Sequence, residues 1–180
     1  MLVLYITYID LGKNDIGSKL RPYKMYKAFL NLNYKVKILS AAQTLKNRNN
    51  RITKIKEIEV WLKNNKPNFC YIESDYTAIR FLEDYKLIKL LKTLNIPTAY
   101  FYRDFDYKFP DMKTSVSGLI NNLRELFIKF LWFKTNRILN KVDIVYFPSK
   151  YCFKYFDFED MRALPPASEI INYIDKEYTN

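Results

Sequence analysis

Short apolar runs alternate with amphipathic stretches along the chain. The first run, residues 2–8, is continuously apolar and rich in β-forming side chains, which is typical of a strand buried on both faces of a parallel sheet. The second run alternates polar and apolar residues before it turns apolar, which indicates a position nearer the edge. The pattern predicts strands at residues 2–8, 34–39, 69–73, 98–102 and 143–147, with a short sixth at 162–164.

Helices are predicted between these strands, where apolar residues recur at spacings of three and four. Ser18 can cap the first helix, and Pro22 falls in its first turns, where a proline is best tolerated. The basic, Asn-rich residues 46–51 are expected to form an exposed loop, and residues 103–110 form another. The predicted helices are residues 18–31, 52–62, 76–94, 116–141 and 149–156.

Strands that alternate with helices at this spacing predict right-handed βαβ units. We therefore expect a single α/β domain over residues 1–166, with an open, mostly parallel sheet and helices on both faces, followed by a polar linker or tail at 167–180. Ligands of such sheets bind beyond the carboxyl ends of the strands. That rule selects the segments 10–17, 41–44, 73–75, 103–106 and 148–150.

The charge of the chain is strongly positive, with 30 Lys and Arg against 19 Asp and Glu and a formal net charge of +11. Such an excess attracts polyanions such as nucleic acid, anionic lipid or phosphorylated ligands. Compositional drift explains it equally well, since Lys, Asn, Ile and Tyr are all abundant. No RNA-recognition signature or zinc-finger spacing occurs, so nucleic acid is not expected as a partner.

The chain has no histidine, which removes the commonest general base and metal ligand. Acid–base chemistry would have to use Asp, Glu, Lys or Tyr, and we expect neither a metal nor a cofactor. Cys70 and Cys152 stand far apart in apolar contexts and are expected to be reduced, buried thiols of a cytosolic protein. No apolar run approaches the length that spans a bilayer, so a soluble or peripheral protein is expected.

Candidate binding residues follow the predicted strands. Gly17 and Ser18 begin a helix, where the backbone and the helix dipole can receive an anion; an ordinary turn is the alternative. Arg103 can bind phosphate or carboxylate with its fork, and Asp104 can act as a base or bind a sugar hydroxyl; a local Arg–Asp ion pair is the alternative. The segment 73–75 follows the third strand, where Ser74 or Asp75 would also make a helix cap.

The long helix is apolar almost all the way round between residues 126 and 133 and carries basic residues. Either it is buried between the sheet and a partner, or its outer face meets a membrane interface. The membrane-facing candidates are Lys129, Trp132, Phe133 and Lys134.

Several segments together resemble the N-terminal domain of GT-B glycosyltransferases, particularly the retaining, family 4-like group. The resemblance covers residues 2 to about 167 and rests on the order of its pieces. These pieces are the Gly17–Ser18 loop followed by Arg21 and an amphipathic helix, the phrase Tyr34-Lys35-Val36, Ile96-Pro97-Thr98 leading to Arg103-Asp104, the run Val142 to Tyr151, and Leu164-Pro165-Pro166-Ala167.

The resemblance implies two Rossmann-like domains that face a cleft, of which this chain would be the acceptor-binding one. A C-terminal domain, in the same or a separate chain, would bind most of the nucleotide-sugar donor, and the acceptor would be a glycan or a lipid-linked sugar in polysaccharide biosynthesis. The resemblance further implies a cytoplasmic protein, peripheral on the inner face of the membrane. A non-catalytic binding or scaffold domain of the same fold, acting on a partner protein or an anionic membrane surface, is the alternative.

The resemblance also assigns roles to individual residues. Asp104 is the candidate catalytic residue, in a loop where many relatives carry a functional histidine. The expected substrate-binding residues are Gly17, Ser18, Arg21, Glu73, Arg103, Asp106, Ser149 and Lys150.

Overall fold

A six-stranded, all-parallel sheet is the framework of the computed structural model, which describes residues 1–11, 17–109 and 119–165. The strands lie in the order β2-β1-β3-β4-β5-β6, and every neighbouring pair is parallel. Their bounds are β1 Leu2–Thr7, β2 Lys35–Ser40, β3 Phe69–Glu73, β4 Thr98–Phe101, β5 Ile144–Phe147 and β6 Met161–Ala163. The predicted open parallel sheet of a single α/β domain is confirmed, including the edge position of the second strand.

In the part of the chain that the structure describes, four α-helices lie in the connections between the first five strands. They are α1 Gly17–Asn31, α2 Arg48–Leu62, α3 Leu82–Thr93 and α4 Leu119–Leu139. Short 3₁₀ helices lie at Leu45–Asn47, Asp106–Lys108 and Lys150–Tyr155. Among the described helices, none combines the length and the apolar character that crossing a bilayer requires.

The two faces of the sheet carry different numbers of helices. The chain runs outward from β1 to β2 and then returns past β1 to β3, so right-handed connections place α1 on one face and α2, α3 and α4 on the other. Val3 and Tyr5 of β1 pack with Phe29 of α1, whereas Leu4 and Ile6 join the core beneath the other three helices. Successive strand residues point to opposite faces, which is why the continuous apolar run of β1 fills both cores.

Both outer strands of the sheet carry basic side chains, and one of them, β6, is short. At one edge, β2 has an exposed Lys35 and a half-buried Lys37; at the other, β6 has three residues and an exposed Arg162. Lysine, arginine and short length are the usual means by which an edge strand is kept from pairing with another chain.

The predicted loop at residues 46–51 is wrong. The segment forms a 3₁₀ turn and the first turn of α2, and Arg51 is completely buried. A basic residue was expected at the surface because burying an unpaired charge costs several kcal/mol. The chain meets this cost with a partner 33 positions away in the sequence.

Arg51 forms an ion pair with Asp84 of α3 in the interior. Its Nε lies 3.0 and 2.9 Å from the two carboxylate oxygens of Asp84, and its Nη2 lies 2.6 Å from one of them. Its Nη1 donates to the carbonyl oxygens of Thr7, the last residue of β1, and Ala41, the residue after β2. The guanidinium also covers the Tyr8 ring at 4.2 Å, so one side chain ties α2 to α3 and to two strand ends.

The predicted helix at 76–94 begins only at Leu82, and neither Ser74 nor Asp75 caps it. Asp75 instead accepts hydrogen bonds from Gln43 Nε2 at 2.9 Å and from the Thr77 backbone N–H at 2.8 Å. The Ile79 N–H donates to Thr135 Oγ1 of α4 at 3.0 Å. Side chains from two other parts of the chain thus supply the hydrogen bonds that a helix would have made within this loop.

We predict that Arg51→Met destabilises the protein by about 3–5 kcal/mol, because it leaves Asp84 charged and uncompensated in the core. Urea unfolding at neutral pH measures the loss. The matched control is Arg48→Met one turn earlier, whose ion pair with Glu83 is half exposed and spans 3.6 Å; its cost is expected to stay below about 1 kcal/mol.

The double variant Arg51→Met with Asp84→Leu separates the charge from the packing. Replacing both partners removes the buried charge, so much of the lost stability is expected to return. Equal losses in Arg51→Met and Arg48→Met would contradict the structural role assigned to the buried pair.

Candidate functional site

The topology of the sheet opens a crevice between β1 and β3. These strands are neighbours, with Thr7 opposite Glu73 at their carboxyl ends, but β1 leads to α1 on one face and β3 leads to α3 on the other. A point where neighbouring connections part in this way is where open α/β sheets bind ligands. Glu73, Arg103 and Asp104 stand at this edge, and Arg21 reaches it from the second turn of α1.

Arg21 and Glu73 form an ion pair at the crevice. Arg21 Nε lies 2.8 Å from Glu73 Oε1, and the Arg21 guanidinium covers the Phe101 ring of β4 at 3.7 Å. The Glu73 side chain is fully buried, whereas that of Arg21 keeps 20% of its surface exposed. Among the described residues, Nη1 of Arg21 has no hydrogen-bond partner, so one edge of the guanidinium is fixed and the other can receive a ligand.

Tyr71 completes this arrangement. Its hydroxyl donates to Glu73 Oε2 at 2.9 Å and lies 3.5 Å from Arg21 Nη2. Burial raises the pKa of Tyr71 well above its usual value, so the hydroxyl stays protonated as a donor. Burial also raises the pKa of the Glu73 carboxyl, and the charge of Arg21 and the Tyr71 hydrogen bond only partly oppose that effect.

Arg103 and Asp104 follow β4 beside this cluster. The Arg103 backbone N–H donates to Ser74 Oγ at 3.0 Å, which joins the loops after β3 and β4. Arg103 Nε lies 3.4 Å from Asp104 Oδ2. The two residues therefore form the local ion pair that was the alternative to a binding role in the sequence-based prediction. Partial burial raises the pKa of Asp104 and Asp106 adds to this rise, while Arg103 opposes it.

The remaining predicted site residues lie outside the Arg21–Glu73 and Arg103–Asp104 pairs. Gly17 begins α1, and the side chain of Ser18 lies outside what the structure describes. Asp106 is exposed in a 3₁₀ turn. Ser149 Oγ caps the turn after β5 by accepting from the Tyr151 N–H at 3.3 Å, and the exposed Lys150 holds its Nζ 5.8 Å from the Tyr151 ring.

Tyr71 and Phe101 contact Arg21 but were not among the predicted site residues, whereas Ser74 lies in the predicted segment 73–75. One signal was present for Tyr71, because residues two apart in a strand share a face and Tyr71 therefore accompanies Glu73. The contact between Phe101 and Arg21 had no such signal, since it depends on how α1 lies across the sheet.

The described residues contain no group of three or more His, Cys, Asp or Glu side chains that could hold a metal ion. Both cysteines are free thiols; Cys70 is buried and Cys152 is half-buried. Burial raises the pKa of the Cys70 thiol, which keeps it unreactive.

Comparison by sequence finds no matching family model and no similar curated protein. Comparison by structure finds the alpha-glucosyltransferase AGT in complex with UDP, at a TM-score of 0.51 and 13% identity, over 95% of this chain and 45% of that one. A second structure is an alpha-glucosyltransferase in complex with UDP and a 13-mer DNA containing an HMU base, at a TM-score of 0.46 and 13% identity, over 94% of this chain and 43% of that one. A third is a galactofuranose-binding protein, at a TM-score of 0.40 and 11% identity, over 83% of this chain and 67% of that one.

The chain therefore spans about 45% of the length of the alpha-glucosyltransferase AGT. At 13% identity this likeness shows a shared fold, which agrees with the glycosyltransferase-like fold that the sequence predicts. The family 4-like assignment and the N-terminal position stay predictions.

We predict that Arg21→Met makes stability fall with rising pH. Without Arg21, the folded-state pKa of the buried Glu73 rises further above its unfolded value of about 4.3, so the folded state keeps a proton that the unfolded state releases. The stability deficit relative to wild type then grows by up to about 1.4 kcal/mol for each pH unit between the raised folded-state pKa of Glu73 in wild type and its still higher folded-state pKa in the variant.

Urea unfolding of both proteins at about pH 5 and about pH 8 measures this change. The double variant Arg21→Met with Glu73→Gln is the control, since it has no carboxyl to titrate and its deficit should not change with pH. A deficit of Arg21→Met that is equal at both pH values would refute the compensating role of Arg21.

Proposed function

We propose that this chain is the acceptor-binding half of a glycosyltransferase that moves a sugar from a nucleotide-sugar donor to a glycan or lipid-linked acceptor. The observation that carries the proposal is the cluster of Arg21, Glu73, Arg103 and Asp104 at the β1/β3 crevice. It lies in a sheet whose fold is shared with part of a UDP-bound alpha-glucosyltransferase.

The cluster offers the chemistry that an acceptor and a donor phosphate need. Arg21 is held along one edge by the buried Glu73, and this pre-orients its remaining N–H donors toward phosphate or sugar oxygens. Arg103 adds a second positive charge whose influence reaches Glu73. Asp104 keeps 38% of its side chain exposed and can accept a hydrogen bond from an acceptor hydroxyl.

Asp104 is the candidate general base of this site. Its carboxyl has a pKa above the ordinary value because burial and Asp106 outweigh Arg103, and a less acidic carboxylate accepts a proton more readily. The chain has no histidine that could take this role. Arg103, 3.4 Å away, would orient the Asp104 carboxylate.

Half of a cleft does not hold a donor and an acceptor together. Sugar transfer requires the reacting atoms to be brought about 3–3.5 Å apart in the right orientation, which needs both walls of the site. We therefore assign most of the donor binding to a C-terminal domain, in the same polypeptide or a separate one, which the segment 167–180 would join as a linker. A family 4-like role in polysaccharide biosynthesis, on the cytoplasmic side of the membrane, completes the proposal.

The test measures transfer from a panel of radiolabelled nucleotide sugars, with this chain alone and with the adjoining downstream polypeptide added. Membrane extract, free glycans and duplex DNA serve as acceptors, the last because a net charge of +11 attracts any polyanion. We expect transfer only in the mixture. Transfer by this chain alone would overturn the half-enzyme proposal. No transfer either by the chain alone or in the mixture would favour a non-catalytic binding domain.

We predict that Asp104→Asn lowers kcat in the mixture at least about 100-fold, the usual contribution of a general base. Asp157→Asn is the matched control, because Asp157 is exposed and lies after the turn that follows β5. Thermal melts should show both variants folded. Equal rates in the two variants would remove Asp104 from the catalytic role and leave the binding proposal to Arg21 and Arg103.

A further inference from the structure

The outward face of α4 carries a stripe of exposed apolar side chains, which we call the α4 stripe. Its members recur at spacings of three, one, three and three residues, and each is between 53% and 65% exposed. This spacing follows the helical repeat, so the side chains form one continuous surface about 15 Å long. The α4 stripe consists of Leu123, Leu126, Phe127, Phe130 and Phe133.

The opposite face of α4 is packed into the core. Trp132, Thr135, Ile138 and Leu139 are buried, and Trp132 stacks on Tyr102 and Tyr107 at ring distances of 5.6 and 4.4 Å. The prediction that Trp132 faces a membrane is therefore wrong, because its ring fills the space between α4 and the sheet. Phe133 and Lys129 are exposed, and Lys134 is half-buried.

Positive charge surrounds the α4 stripe. Arg124 and Lys129 are exposed at its two sides. Arg137 in the last turn of α4 and Lys141 just after it are exposed and line one groove together with Phe130 and Phe133. Glu125 is the only acidic residue between Leu119 and Leu139. Lys134 places its Nζ 5.3 and 5.5 Å above the rings of Tyr85 and Phe130, so its charge stays beside the apolar surface.

Two grooves beside α4 extend this surface. One of about 560 Å³ lies against α3 and includes Leu82, which is 55% exposed, and Lys89. The other, of about 430 Å³, includes the exposed Leu45 together with Arg48 and Arg80. Both apolar and basic side chains thus line the two grooves beside α4.

We propose that the α4 stripe inserts into the boundary between headgroups and acyl chains of an anionic bilayer, with α4 lying along the membrane plane. A helix with an apolar face, a basic margin and too little apolar length to span is the form that binds such a boundary. The phenylalanine and leucine side chains supply the apolar area, and the arginine and lysine side chains meet the lipid phosphates.

The charge of the surface favours this occupant over two others. A second copy of the chain related by a two-fold axis would place basic margins against one another, which costs affinity. A nucleic acid would meet the basic residues but would leave five large apolar side chains against its phosphates. The inference rests on the surface of α4 and not on the glycosyltransferase proposal, whose residues lie at the β1/β3 crevice.

The experiment is flotation of the full chain with vesicles of phosphatidylcholine alone and of equimolar phosphatidylcholine and phosphatidylglycerol. Wild type should float with the anionic vesicles, and less so as salt is raised. Phe127→Ser with Phe130→Ser should lower the partition coefficient at least about tenfold. Leu32→Ser with Val60→Ser is the matched control, because these residues are 61% and 60% exposed outside the stripe.

A second pair of variants tests the charges. Arg137→Glu with Lys141→Glu should weaken anionic-vesicle binding at least about tenfold. Lys27→Glu with Lys35→Glu changes net charge equally at exposed positions in α1 and β2, and should have a smaller effect. Since all eight substituted residues are exposed, circular dichroism and thermal melts are expected to show folded proteins throughout.

Three outcomes would overturn the inference. The first is equal binding to neutral and anionic vesicles, or none to either. The second is a concentration-dependent dimer that Phe127→Ser with Phe130→Ser abolishes, which would make the α4 stripe a contact between copies. The third is binding to duplex DNA that the charge variants weaken and the phenylalanine variants leave unchanged, with no vesicle binding.

Discussion

The burial of Arg51 is the constraint on which much of the fold depends. A guanidinium without water needs a carboxylate and several acceptors at fixed positions, and the chain provides them from α3 and from the ends of β1 and β2. These elements are distant in sequence, so the ion pair forms only when the sheet order and the helix positions are both correct. The same pair restricts where α2 and α3 can lie, and α4 in turn packs against α3.

The candidate site also pairs a buried carboxylate with an arginine, but here the arginine is partly open to solvent. Glu73 is as buried as Asp84, but its cation, Arg21, retains an exposed edge. The buried Glu73 therefore holds the partly exposed Arg21 in place, and the same ion pair contributes to stability and to the proposed ligand binding. This ion pair also joins α1 to the carboxyl end of β3 at the crevice.

The hydrophobic pattern predicted the strands well because burial on both faces leaves a strong signal in the sequence. It failed at Arg51 and at residues 76–81, where the decisive partners, Asp84, Gln43 and Thr135, lie 33 or more positions away. Glu73, Arg103 and Asp104 could be named because they end or follow strands, and Arg21 through the resemblance to GT-B glycosyltransferases. Their pairing could not be predicted, since it depends on the angle at which α1 crosses the sheet.

The basic edge strands β2 and β6 have a further consequence for how larger assemblies are built. A neighbouring domain that extended this sheet would meet lysine at the β2 margin, and arginine and a strand of only three residues at the β6 margin. These margins favour attachment of an additional domain through loops or helices, as a separate rigid body. In the two-domain arrangement proposed above, two such bodies joined by a linker could turn relative to each other, and this freedom would allow their shared cleft to open for exchange and close for reaction.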